Sequence, residues 1–422
     1  MSSDSRPLSV LIAGGGIAGP CFAYWLTRAG LDPRPNITII ERAPEPRTTG
    51  QSVDIRDAAV EVMRKMGLEE TIRACRTPEK GTAFVDGKGK IIARFDSSGD
   101  SEKQSMTSEY EILRAELAKV FIDATKDREC ISYVFGQRIA EISQDESGVD
   151  VTFTGDMPKQ RYDLIVAADG TMSKTRQAIF GPDEPSYFNF LGGYFAFFSI
   201  PYDSDLDEPP LWRWFNAPGG LSVQTRPHTN PETTGAYLGL VTPQKQRNPE
   251  TEKALTEGLE AQKALCKKMF QDAGWQAKRV CNGLDTASDF YMTPLTQVKL
   301  PKWSKGRCIC LGDAAYSPTP ITGAGTSLAM EGAYLLAGEI AASGGDVRLA
   351  FDNYEKIFRP TVEKVQKLPP GVPQIANPNT AFGITLARLA LSLVYNSGIY
   401  KILGGWVDSK PRKLRDYKWA LG

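Results

Sequence analysis

Apolar residues fall along this chain in two rhythms. Short continuous runs, Leu8-Ser9-Val10-Leu11-Ile12-Ala13, Ile37-Thr38-Ile39-Ile40, Asp163-Leu164-Ile165-Val166-Ala167-Ala168 and Arg307-Cys308-Ile309-Cys310-Leu311, predict strands of a parallel sheet buried on both faces. A 3.6-residue period predicts helices over Ile17–Ala29 (ending at Gly30), about Asp57–Met66, Ile112–Ala124 and about Thr326–Ile340. Between about Ser186 and Val241 the character changes. Aromatic-rich alternating runs, Tyr194-Phe195-Ala196-Phe197-Phe198 and Leu211-Trp212-Arg213-Trp214-Phe215, are separated by Pro and Gly turns, which predicts a separate lobe built on an antiparallel sheet. From about Phe351 the chain reads as helical, with a Pro-rich break at Pro369–Pro378.

The first unit carries chemistry. Gly14-Gly15-Gly16-Ile17-Ala18-Gly19 follows a strand and opens a helix, and Glu41 ends the next strand. Glycines at these spacings permit a tight turn, close approach of a pyrophosphate and close helix–strand packing, while the helix N-terminus favours the anion. A carboxylate at Glu41 is placed to accept hydrogen bonds from ribose hydroxyls. Strand, turn, helix, strand and acid together predict a dinucleotide site, with FAD and NAD as rivals; a ligand-free glycine turn is the plain alternative.

Composition narrows the field. The 422 residues carry 50 basic and 50 acidic side chains, a balance that argues against nucleic acid as the main partner. Seven cysteines show no CxxC spacing, so zinc and redox-dithiol sites are poor readings and a reducing, cytoplasmic setting is expected. Cys308 and Cys310 read as buried strand positions. His228 is the only histidine, which excludes a histidine-rich metal site; no metal is expected, and a cofactor is left to carry the hard chemistry. The N-terminal apolar run enters a glycine cluster rather than a signal-peptide core, and no run reaches the roughly twenty apolar residues that span a bilayer.

Two further motifs decide between FAD and NAD. Asp163-Leu164-Ile165-Val166-Ala167-Ala168-Asp169-Gly170-Thr171-Met172-Ser173-Lys174-Thr175-Arg176 resembles the DG segment of single-component FAD monooxygenases related to para-hydroxybenzoate hydroxylase. Gly312-Asp313-Ala314-Ala315-Tyr316-Ser317-Pro318-Thr319-Pro320-Ile321-Thr322-Gly323-Ala324-Gly325 resembles their GD segment. The resemblance runs from about Leu8 to Ile340, and the region from Gly50 to Met66 is similar to the tetracycline-inactivating and fungal natural-product branch. It implies an α/β fold: a Rossmann-type FAD-binding lobe with an inserted antiparallel β-sheet substrate lobe and C-terminal helices. The pieces expected are residues 1–75, 105–185 and 297–350 for the FAD lobe, 76–104 and 186–296 for the substrate lobe, and 351–422 for the helical region.

The GD segment also makes sense without the family. A strand delivers Asp313 towards a cleft where its carboxylate can hold a flavin's polyol chain. The loop through Pro320, Gly323, Ala324 and Gly325 then presents backbone N–H groups at a helix start, where they stabilise the negative charge of reduced flavin.

By the resemblance, Arg114 in Glu111-Ile112-Leu113-Arg114 meets the FAD ribose and phosphates, Arg47 and the backbone near Gly50 to Val53 flank its isoalloxazine and ribityl parts, and Arg42 is a further cofactor-binding residue. The alternatives are a solvated helix-face charge for Arg114 and a plain turn residue for Asp169. Tyr316 stands where many relatives carry histidine, and no second glycine motif serves nicotinamide; the family does without one because NAD(P)H visits the flavin transiently. The implied reaction is reduction of FAD by NAD(P)H, addition of dioxygen at flavin C4a and oxygen transfer from that C4a-hydroperoxyflavin to a bound substrate. The flavin carries the chemistry, so no catalytic side chain is assigned.

The substrate lobe suggests an aromatic or polyketide-like small molecule. Phe195 and Phe197 are the expected pocket aromatics, on the opposite strand face from Phe198, with Arg213, Gln224 or Arg226 as polar handles. The alternative is that half of these aromatics only pack the sheet. Trp212-Arg213-Trp214-Phe215-Asn216-Ala217-Pro218 resembles the W-x-W-x-I-P signature of flavin halogenases but misses its spacing and its Ile. Same-fold reductase or halogenase chemistry, and a non-enzymatic flavin-binding protein, are the rival functions. Ile384–Leu403 is apolar apart from Arg388 and Lys401 and precedes a basic tail (Lys410, Arg412, Lys413, Arg415). It is expected as a helix packed on the FAD lobe, with a membrane-surface helix as the alternative.

Overall fold

A computed structural model describes residues 6–48, 50–97, 108–398 and 412–420. The apolar runs form a six-stranded sheet in the order Ser304–Lys305, Cys308–Cys310, Leu164–Ala167, Ser9–Ala13, Asn36–Glu41, Ile131–Phe135. Five strands run parallel and the first is an antiparallel edge. Ala13 sits opposite both Ile40 and Ala167, and Ala167 opposite Cys310, so the loops leaving these strands emerge side by side. Ligands bind at such carboxyl ends in α/β sheets. Helix Gly325–Ala342 is buried all round from Thr326 to Ile340, mostly apolar but with Glu331 and Glu339 enclosed, and packs against helices Ala18–Leu26 and Val347–Gln366.

The second lobe is a seven-stranded sheet in the order Tyr291–Val298, Phe188–Pro201, Thr233–Val241, Leu221–Pro227, Trp212–Ala217, Gly81–Val85, Ile91–Asp96. It is antiparallel except where Trp212–Ala217 meets Gly81–Val85 in parallel, so it is a mixed sheet. Strand alternation divides its faces. Tyr194, Ala196 and Phe198 pack with Cys266, Phe270 and Val280 of the covering helices, whereas Phe195, Phe197 and Tyr237 form a separate cluster on the other side. That side meets the FAD lobe: Ser52 N–H donates to Tyr237 Oη at 3.4 Å, and Tyr291 Oη donates to Gln51 Oε1.

Three local expectations are corrected. The helix predicted from Ile112 begins at Arg114, because Tyr110–Leu113 pairs antiparallel with Ser52–Ile55 and the apolar residues there serve a strand. Helix Ala381–Ser397 packs on strands Ile91–Asp96 and Trp212–Ala217 rather than on the FAD lobe. Arg388 anchors it, donating to the Asn216 carbonyl at 3.1 Å, and Phe382, Leu386, Leu389 and Leu393 form an exposed stripe. Arg412 and Arg415 belong to no free basic tail, since they bind Glu331 and Glu339; Lys401, Leu403 and Lys410 lie outside the described residues. No helix among the described residues is long and apolar enough to cross a membrane.

Candidate active site

The glycine motif opens directly from strand Ser9–Ala13. Gly14 has φ +120°, and a Cβ there would collide with the Ala168 carbonyl, so the turn needs glycine. A Cβ on Gly19 would collide with the Gly14 carbonyl. Gly16 differs: a Cβ on it would meet nothing within 4 Å. The first and third glycines therefore close the protein on itself, and the middle one faces open space where a pyrophosphate has room to approach. Ala18 lies in the first turn of the helix, its Cβ 3.2 Å from the position a Cβ on Gly312 would take, which packs the GD segment against this helix.

Glu41 stands beside the loop, accepting from Gly15 N–H and Ala43 N–H, both at 3.0 Å. Next to it lies a group of cations. Arg42, Arg47 and Arg114 form no ion pair with a described residue, and Arg47 is pushed down by partial burial and by repulsion from Arg114 and Arg42. An anion placed among them relieves that repulsion. Gly50 and Arg114 are in contact range, a Cβ on Gly50 falling 3.3 Å from Arg114 Cβ, and Arg114 N–H donates to the Gln51 carbonyl at 3.0 Å. Val53 pairs with Ile112 in the short strand pair leading to Arg114.

From the far side, Asp313 is delivered by strand Cys308–Cys310. The protein packed around its carboxyl raises it above the ordinary range, opposed by Arg114 and by hydrogen bonds with Ser317 and Thr171. A Cβ on Gly325 would stand 3.7 Å from Asp313 Oδ1, so the carboxylate lies at the start of helix Gly325–Ala342. The loop between is bent unusually: Thr319 has φ +83° with its buried hydroxyl unpaired, and Pro320–Thr322 forms a single 3-10 turn ending at Gly323 (φ +60°). Ala324 precedes the helix, its N–H taken by Thr322 Oγ1 at 3.2 Å. Ser52 Oγ and Asp54 Oδ1, buried without partners, add further unsatisfied polar atoms, and Asp54 faces Gly323. Buried polar atoms of this kind are normally paired, so their gathering here marks a place for a polar ligand. Helix-start N–H groups, unpaired arginines, a shielded carboxyl and the opening at Gly16 fit FAD.

Not every expected residue turns its side chain towards this place. Asp169 spends its carboxylate on its own loop, accepting from Ser173 Oγ and from Thr175 N–H at 3.0 Å. Arg213 is corrected outright. It lies on the helix-covered side of the sheet with Phe215, and its guanidinium donates to the carbonyls of Asp207 (2.7 Å), Glu208 (2.7 Å) and Pro209 (2.9 Å), so it is no polar handle. Gln224 lies beside Tyr237 on the face that meets the FAD lobe, as do Phe195 and Phe197. Arg226 shares that face but is bound by Glu79 (2.8 Å) and Glu111 (2.6 Å). His228 is pushed down to about 4 by burial and is neutral at neutral pH. Tyr316 turns into the core, 2.8 Å from the Tyr354 hydroxyl, away from Asp313's loop.

One residue had no role assigned from sequence. Arg176, fully buried, binds Asp183 through two hydrogen bonds (2.7 and 2.6 Å) and donates to the Thr171 carbonyl at 3.0 Å and the Ala314 carbonyl at 2.9 Å. It ties the DG segment to the GD segment. Its only mark in the sequence is its place at the end of the DG segment.

Comparison with known proteins agrees with this geometry. Residues 7–368 match the model of the FAD binding domain family. The FAD-dependent monooxygenase asL4 of Sarocladium schorii is 34% identical over 98% of this chain and 99% of its own length. The flavin-dependent monooxygenase eupH of a Phoma species is 36% identical over 96% and 95%. Among solved structures, the tetracycline destructase Tet(51) superposes with a TM-score of 0.74 at 29% identity, covering 98% of this chain and 100% of that one. Three motifs converging at the carboxyl ends of one parallel sheet, opposite an aromatic sheet face, place this chain in the FAD binding domain family as an FAD-dependent monooxygenase.

Proposed function

We propose that the enzyme uses NAD(P)H and dioxygen to insert one oxygen atom into an aromatic or polyketide-like natural product, by hydroxylation, epoxidation or Baeyer–Villiger insertion. FAD, when bound, supplies the electron transfer and the activation of oxygen. The chain's own residues bind, orient and shield. Glu41 and Arg114 with the Gly16 opening hold the ribose and phosphates, Arg42 and Arg47 supply neighbouring positive charge, and Asp313 with the N–H groups that open helix Gly325–Ala342 holds the ring end and its developing negative charge. Gly50, just before strand Ser52–Ile55, and Val53 within it flank the isoalloxazine and ribityl parts. Asp169, retained as a cofactor-side residue, acts by shaping the loop after its strand. Phe195 and Phe197 exclude water and present a flat apolar surface, with Gln224 beside them.

The observation that carries this reading is the face of the seven-stranded sheet turned towards the FAD lobe, aromatic rather than charged and joined to it through Tyr237 and Tyr291. The fungal relatives and the tetracycline destructase support a natural-product substrate. Seven free cysteines, Cys21, Cys266, Cys281, Cys308 and Cys310 among them buried, support a reducing, cytoplasmic setting.

The test is incubation of the enzyme, NADPH and an extract of its producing organism under labelled dioxygen. A product heavier by one labelled oxygen supports the proposal. Chlorinated or reduced products without label would assign the halogenase or reductase chemistry instead.

A further inference from the structure

One cross-strand row of the sheet face turned to the FAD lobe runs Tyr291, Phe197, Tyr237, Gln224, Trp214, Phe84, each paired in register with the next. Rings touch along it: Phe197 lies 5.1 Å from Tyr291 and 4.8 Å from Tyr237, and Trp214 stacks on Phe84 at 5.9 Å. The polar break is Gln224, almost fully buried. Its Oε1 accepts from Trp212 Nε1 at 2.9 Å, and its Nε2 reaches Ser222 Oγ at 3.3 Å, which leaves a second N–H. Its neighbour Trp214 keeps a buried Nε1–H with no partner among the described residues. Two adjacent donors inside an aromatic row call for acceptor oxygens on whatever lies over them, because a buried unpaired donor is costly.

The charge on this face is already spent. Arg226 is the only lysine or arginine among its described strand residues, and Glu79 and Glu111 hold it from two sides while Trp212 covers its guanidinium at 4.5 Å. Both acids are buried, and Glu111 is raised well above the carboxylate range by burial, with Glu79 and Asp54 nearby. The group is therefore close to neutral, with no positive charge left for a ligand.

We propose that this row is the recognition floor for flat, uncharged aromatic molecules bearing carbonyl or phenol oxygens, with Trp214 and Gln224 as specificity-determining donors. The masking of Arg226 excludes aromatic carboxylates. This rests on the monooxygenase reading above and narrows its substrate class.

The test is calorimetric titration of the FAD-loaded enzyme with a dihydroxyanthraquinone and with the same ring carrying a carboxylate. The expected result is at least about tenfold tighter binding of the neutral compound. Trp214→Phe, which keeps the stack and removes the donor, is expected to weaken the neutral ligand about fivefold or more. The Glu79→Gln/Glu111→Gln pair, which unmasks Arg226, is expected to bring the carboxylate up at least about tenfold. If that buried pair fails to fold, the wild-type preference and Trp214→Phe still decide. Equal affinity, preference for the carboxylate, or binding of neither compound would overturn the inference. An enzyme that fails here yet incorporates labelled oxygen into some other product leaves the proposed function standing, whereas one that holds no FAD removes both.

Discussion

Arg176 Nη1 donates to the carbonyl oxygen of Ala314 at 2.9 Å, across 138 residues of chain. The same guanidinium binds Asp183, so one fully buried side chain fixes the spacing between the loop after strand Leu164–Ala167 and the loop that carries Asp313. Removing it leaves the largely shielded Asp183 carboxylate with Gln177 Nε2 (2.9 Å) in place of a guanidinium, and takes this donor from the Thr171 and Ala314 carbonyls. Arg176→Ala is expected to cost about 3–5 kcal/mol in urea unfolding. Arg176→Lys should rescue little, because a point charge cannot replace a planar fork serving four acceptors. An unfolding midpoint within error of wild type would refute this role.

The glycines of the first motif should separate by experiment. Gly14→Ala and Gly19→Ala force a Cβ into backbone carbonyls and are expected to lower the melting temperature of the FAD-free protein. Gly16→Ala meets no protein atom, so the FAD-free protein should melt as wild type while FAD affinity falls about tenfold or more. Thermal melts with and without FAD check both statements. Equal destabilisation by all three changes would mean that Gly16 faces protein and not ligand.

Glu331, buried in helix Gly325–Ala342, is raised from 4.5 to about 7 by burial, partly opposed by Arg412. Below pH 4.5 it is protonated in both folded and unfolded chains. Between 4.5 and 7 the unfolded chain ionises first, so stability falls as pH rises; above 7 the loss is complete, at about 3 kcal/mol. Glu331→Gln should match wild type near pH 4 and exceed it near pH 8. Urea denaturation at both pH values reads this directly, and a constant difference would show that Glu331 does not titrate in this window.

The segment 412–420 clasps the two helices that begin at the FAD motifs. Trp419 lies 4.7 Å from Trp25 and 5.1 Å from Tyr334, Tyr417 Oη donates to Glu339 at 2.6 Å, and Ala420 N–H donates to the Arg28 carbonyl at 2.9 Å. A Cβ on Gly338 would enter the Tyr417 ring. Trp419→Ala is expected to cost about 2 kcal/mol and to release FAD at lower temperature, followed by flavin fluorescence during a thermal ramp. Unchanged release would show that the clasp does not support the FAD helices.

What sequence could show followed from how local the signal was. The parallel strands, the Gly14–Gly19 turn and the opposite facing of Phe195 and Phe198 are set by residues within one or two elements, where period and turn chemistry suffice. The strand Tyr110–Leu113 hid because its apolar pairs also fit a helix period, and only its partner Ser52–Ile55 decides between them. Arg213 and Arg226 look alike in sequence. One turned to neighbouring carbonyls and the other to Glu79 and Glu111, partners 147 and 115 residues away, which no local pattern reveals. The tail's ion pairs with Glu331 and Glu339 were invisible for the same reason.

The central claim is that Gly16, Arg114 and Asp313 surround one FAD. The most direct measurement is equilibrium titration of FAD into the FAD-free wild type and into Gly16→Val, Arg114→Ala and Asp313→Ala, read by quenching of flavin fluorescence. One FAD per chain for the wild type, with each substitution weakening binding at least about tenfold while the circular dichroism stays native, is the predicted result. FAD affinity unmoved by all three substitutions would contradict the account.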